Sequence, residues 1–144
     1  MVKIPEYRSG KAVSEDPYNF STFRSWMRLC FGKDYNALIA LSNEISKIGR
    51  EKQKSLFLYA LSVIEYCSSL NYGQERKIVA EDEELKFFYD FSRFVNSETV
   101  VSFTDLFNTA IFHIERNVHA PTLFLDVSFQ TIRLFHTVSK KISL

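Results

Sequence analysis

The sequence predicts an all-α fold, a compact bundle of five to six helices, and three observations carry that prediction. Apolar residues recur at three- and four-residue spacing along most of the chain. Only four Gly and three Pro interrupt 144 residues. Aromatic side chains make up 15% of a composition that is 46% hydrophobic, which suits long helices with bulky packing. The β-branched run at 98–101 is too short to sustain a sheet, and no internal repeat or low-complexity tract appears. A chain of this length buries a single core without staples.

Residues 1–17 hold Pro5, Gly10 and Pro17 among mixed charges with no sustained period, and read as a flexible leader or linker. That leaves 18–144 as one helical domain. Because Met1 directly precedes a polar segment of mid-chain character, the domain reads as part of a longer protein. In the first helix Phe23, Trp26, Met27, Cys30 and Phe31 line one apolar face, with Asn19 or Ser21 as cap and Gly32 as the end. Asp34 caps a second helix striped by Leu38, Leu41, Ile45 and Ile48, which Gly49 terminates.

The third helix, from about 50 to 70, has Leu56, Tyr59, Ala60, Val63, Cys67 and Leu70 on one face. Phe57, Leu61 and Ile64 widen that face until contact from more than one side is expected. Asn71, Tyr72 and Gly73 break the pattern, and the polar stretch to Ala80 reads as a loop or a short frayed helix. Residues 81–84 open a fourth helix bearing Leu85, Phe88 and Phe91, extended to Phe94 and Val95. A fifth, from about 97 to 117, carries Val100, Phe103, Phe107, Ala110, Ile111 and Ile114. After His119, Ala120 and Pro121, the sixth runs from Thr122 to about 140. It is apolar on nearly all sides, which requires a central place in the bundle or cover from a neighbouring subunit.

Charge and motifs exclude several functions. Eighteen basic against 17 acidic residues leave a net charge of +1, far from the excess a chain needs to grip phosphates on its own. Cys30 and Cys67 lie among apolar residues outside any CxxC pair and read as reduced, buried thiols of a cytoplasmic protein. No apolar run is long enough to span a membrane, and the N-terminus has no apolar signal core. The Gly10-Lys11 and Gly32-Lys33 pairs lack the upstream glycine and hydroxyl of a P-loop. The acidic run at 81–84 reads as a helix start favoured by the macrodipole. His113, His119 and His136 have no zinc spacing, and no ordered triad or nucleophile elbow is present. The expectation is a chain with no catalytic, cofactor-binding or metal-binding residues and no small-molecule substrate.

Two groups remain as candidate partner contacts. Arg50, Lys52 and Lys54 occupy the first turns of a helix, where the dipole disfavours positive charge and Glu51 relieves only part of it. They read as a solvated helix start or as a contact for an acidic partner surface or the DNA backbone. Phe124 and Phe135, with Phe87 and Phe88, fit a core or a subunit interface better than a ligand pocket.

The segment 23–54 runs through a Trp-x-Arg-x-Cys-Phe helix (Trp26, Arg28, Cys30, Phe31), an Asp-led helix (Asp34) and a Gly-Arg-Glu-Lys-Gln-Lys turn (Gly49 to Lys54). In this it resembles the C-terminal collar region of clamp-loader subunits of bacterial DNA polymerase III, the delta-prime subunit of Bacteroidetes-type bacteria most closely. Weaker likeness continues through Asn117 to Pro121 and the Leu-Phe-Leu-Asp of 123–126. The resemblance implies a collar-like, non-catalytic oligomerisation domain that joins other clamp-loader subunits in a hetero-oligomer and meets DNA only through the full complex. The family's P-loop, Ser-Arg-Cys motif and four-cysteine zinc module are missing here, so ATPase activity does not carry over. The alternative is a free-standing helical adaptor or regulatory interaction module.

Overall fold

A computed structural model describes residues 16–73 and 80–142, with side chains through residue 139. The polar stretch at 74–79 and the leader at 1–15 lie outside the described residues, which form six helices and no strand. They are α1 (Pro17–Gly32), α2 (Tyr35–Ile45), α3 (Arg50–Asn71), α4 (Asp82–Ser92), α5 (Thr99–Glu115) and α6 (Ala120–Ile142).

α1 begins earlier than its apolar stripe indicates. Pro17 occupies the first turn, where its missing N–H costs nothing, and the Asp16 carboxylate accepts the Tyr18 N–H at 3.0 Å. Asp16 is therefore the cap; Asn19 turns inward instead and donates to Ser55 Oγ at 3.0 Å. The helix ends on Lys33 in the left-handed region (φ 56°), with the Lys33 and Asp34 N–H groups returning to Cys30 and Leu29. Asp34 caps α2 as expected, accepting from Ala37 N at 3.1 Å.

α2 stops at Ile45, four residues short of Gly49, because a turn through Ser46 to Ile48 takes over the chain. Gln53 Nε2 donates to the Ile45 carbonyl at 3.0 Å and satisfies this helix end from inside. Gly49 marks the start of α3 rather than the end of α2, with a φ of 93° that an L side chain tolerates poorly. Asn71 at the far end of α3 donates through Nδ2 to the carbonyls of Ser92 and Val95. That side chain ties off α4. Asn96 and Thr99 then cap α5 reciprocally: Asn96 Oδ1 accepts the Thr99 N–H at 2.9 Å while Thr99 Oγ1 accepts the Asn96 N–H at 2.8 Å. Asn117 takes a left-handed φ of 60° to turn α5 into α6.

α3 packs on α1, α4 and α5, and α6 packs on α1, α2 and α5. α3, buried along most of its length, is the central helix, whereas α6 leaves Asp126, Phe129, Arg133 and His136 exposed along one side, so the expectation that it is apolar on nearly all sides is corrected. α1, α3, α5 and α6 enclose an aromatic centre in which Trp26 meets Phe57 and Phe124 at 5.6 Å between centroids and Phe57 stacks on Phe124 at 5.1 Å. Phe23, Phe91, Phe103 and Phe135 continue it toward α4. The buried indole N–H needs an acceptor, and Ser128 Oγ supplies one at 2.8 Å while donating onward to the Phe124 carbonyl at 2.7 Å.

Candidate functional site

The basic cluster lies where α3 starts, beside the end of α5. Arg50 donates to Asn117 Oδ1 at 2.9 Å, and Lys54 Nζ pairs with Glu115 at 3.3 Å and with Glu51 at 3.9 Å. Two of the three expected contact residues thus have partners within the chain. Lys52 is exposed and has no hydrogen bond or ion pair among the described residues. On the neighbouring turn the Arg116 guanidinium sits 3.6 Å from the centroid of the Phe112 ring, and Phe112 is itself exposed.

Phe124 and Phe135 are corrected by the structure. They are 1% and 4% exposed, held among rings of their own domain, so Phe124 offers no side chain to a partner and Phe135 shows only a ring face to the groove described below. Phe31 is the converse case. Its place on the apolar face of α1 predicts core, yet it is 58% exposed, because it sits at the helix's last turn where the bundle no longer covers that face.

Sequence periodicity did not anticipate the groove beside Phe31. Met27, Arg28 and Phe31 of α1, Phe87, Asp90 and Phe91 of α4, Phe94 just beyond α4, and Phe135 of α6 line a cleft of about 200 Å³. Phe31 packs edge-on against Phe94 at 5.6 Å and Phe135 at 6.2 Å. A cluster of Phe at 87, 91 and 94 on one side of α4 was the available signal. It was obscured because a core stripe and a groove wall share the same spacing.

A second unanticipated feature is the buried pair between α3 and α4. Tyr59 Oη donates to Glu84 Oε2 at 2.5 Å, with the two residues 2% and 8% exposed. The acidic run at 81–84 is therefore only partly a solvated helix start. Burial lifts the Glu84 carboxyl above its ordinary range, against the pull of the Tyr59 hydroxyl, and nearby Glu81 adds to the lift. Burial chiefly, and the adjacent Glu84 charge, raise the Tyr59 phenol. The Cys30 thiol is pushed up to about 12 by burial, against a small opposing effect of Ser128, and burial raises Cys67 as well. Thiols so held are neutral and poor nucleophiles.

Among the described residues no group of three His, Cys, Asp or Glu side chains is placed to hold a metal, and no helix is long and apolar enough to cross a membrane. Comparison with family models, curated proteins and solved structures finds no match to this chain. Two surface features stand out among the described residues: Lys52 with its neighbours at the start of α3, and the aromatic groove between α1 and α4.

Proposed function

We propose that this chain is a non-catalytic assembly module, the oligomerisation domain of a DNA polymerase III clamp-loader subunit of the delta-prime kind. It helps build the complex that places the sliding clamp on primed DNA. The observation that carries this reading is the likeness of residues 23–54 to the collar region of those subunits. An all-helical bundle in which that segment forms α1, α2 and the start of α3 supports it. Lys52, projecting from a turn whose other basic residues are engaged within the chain, is the residue best placed to meet an acidic partner surface. The protein would act in the cytoplasm, with the other loader subunits as partners and DNA reached through the complex.

The test is co-purification of the chain with the remaining loader subunits of a Bacteroidetes-type bacterium. Retention is expected, with Lys52→Glu weakening it while leaving the helical circular dichroism unchanged. A chain that retains none of them under conditions where the subunits bind one another overturns the reading. The aromatic groove favours one alternative, a helical adaptor that binds partners of another kind, and absence of AAA+ modules from the parent reading frame selects it.

A further inference from the structure

We propose that the groove between α1 and α4 is a docking site for an amphipathic helix of a partner protein. The helix presents one large apolar side chain to the groove, with an acidic residue toward Arg28 and a basic residue toward Asp90. This goes beyond the assembly reading and does not depend on it, since none of the residues lining the groove belongs to the basic cluster at the start of α3.

Size argues first for this occupant. Pockets that enclose small molecules run to about 300–1,000 Å³, whereas this cleft holds about 200 Å³, room for one or two large side chains. Its floor is made by buried rings, Phe87, Phe91 and Phe135, together with Met27. Phe31 stands at its edge, 58% exposed yet touching Phe94 and Phe135. An aromatic side chain so placed is covered only when something else enters. A helix laid in a groove with a single central anchor is a recurrent way to fill such a space.

Charge fixes the rest of the proposal. One turn earlier on α1, Arg24 reaches across to Glu83 of α4 at 3.3 Å, so these two helices pair opposite charges where they approach closely enough. Arg28 and Asp90 flank the groove from its two walls, are exposed, and make no ion pair with each other or with any described residue. The groove therefore presents a positive wall facing a negative wall across an apolar floor. A ligand matching it carries both signs, one on each side of its anchor.

The experiment is selection of a phage-displayed library of randomised helical peptides against the full chain, followed by anisotropy titration of the selected peptides. Enriched sequences are expected to hold Leu, Met or Phe with Asp or Glu on one flank and Lys or Arg on the other. Arg28→Glu and Asp90→Lys should each weaken them by about fivefold or more, the effect of an ion pair replaced by like charges. The double reversal should shift preference to peptides with the two charges exchanged. Both positions are exposed, and unchanged circular dichroism confirms that the variants fold. Failure to enrich any peptide, or enriched peptides indifferent to both reversals, overturns the proposal. So does a sedimentation result in which the chain self-associates through this groove, since a second copy is then the occupant.

Discussion

Glu84 carries a pH signature whose sign follows from its burial. Burial at 8% exposure, with Glu81 nearby and against the opposing pull of the Tyr59 hydroxyl 2.5 Å away, makes its carboxyl bind a proton more tightly in the folded chain than at its ordinary value of 4.5. A carboxyl raised on folding contributes stability that is fully present below the unfolded value and is lost as pH rises through the folded one. Removing the charge removes that slope. Between pH 4.5 and 7.5 the stability of Glu84→Gln should therefore fall less with rising pH than that of the parent chain, whatever the offset between them. Tyr59→Phe strips the carboxylate of its donor and should cost about 1.5–3 kcal/mol at neutral pH, the range for hydrogen bonds to charged groups. For a chain of this size that is roughly 5–10 °C in Tm. The loss should shrink on acidification, because a neutral carboxyl is cheaper to leave unpaired. Urea unfolding of the three proteins at several pH values reads both effects. Parallel pH profiles for the parent and Glu84→Gln would show that Glu84 titrates alike in both states and would refute the reasoning.

Other substitutions test the core and its edges. Phe57→Ala, at a position with 0% exposure and three aromatic neighbours, should cost about 3–5 kcal/mol in chemical denaturation. Ser128→Ala leaves the Trp26 indole N–H without its acceptor and should cost about 1–3 kcal/mol. Phe31→Ala should cost under about 1 kcal/mol, as a solvent-facing side chain does; a loss of core size would return Phe31 to the interior. Cys30, pushed up to about 12 by burial, and Cys67 should resist a thiol-specific reagent at pH 8 in the native chain and react together on unfolding.

The helices were legible because each carries apolar residues over more than two turns, and Asp34 was legible as a cap because nothing competes with it. Boundaries failed where a tertiary contact decides. Asn19 has the chemistry of a cap, but its amide is taken by Ser55 and the role passes to Asp16. Gly49 looks like a terminator, yet a Gln53 side chain closes α2 before the chain reaches it. At the candidate surfaces periodicity reports which side of a helix is apolar and is silent on what covers that side. Phe31 and Phe124 are both aromatic residues on apolar helix faces. Only the end of the bundle at one and the Trp26 and Phe57 rings at the other separate surface from core. Glu84 shows the opposite blindness. It lies three and four residues before Phe87 and Phe88, on the core side of α4, but as part of an acidic run it reads as solvent-facing.

The basic cluster has a physical explanation that narrows what a partner can use. Positive charge in the first turns of α3 is disfavoured by that helix's own dipole, but those turns lie against the last turn of α5, where the dipole is negative. The field that opposes Lys54 within α3 is thus offset by α5 and by Glu115. With side chains 26% and 49% exposed, such a pair contributes only about 0.2–1 kcal/mol. Lys54→Glu therefore does two things at once: it sets like charges together at the α3 and α5 contact, and it changes the surface. A loss of binding in that variant is ambiguous. Lys52, exposed and unengaged among the described residues, separates the two. Lys52→Glu should leave the unfolding midpoint within about 0.5 kcal/mol of the parent, as surface changes do, and any loss of partner binding then belongs to the contact itself. Loss of binding in Lys54→Glu that comes with a lowered unfolding midpoint, and no loss in Lys52→Glu, would assign the cluster to the fold rather than to a partner.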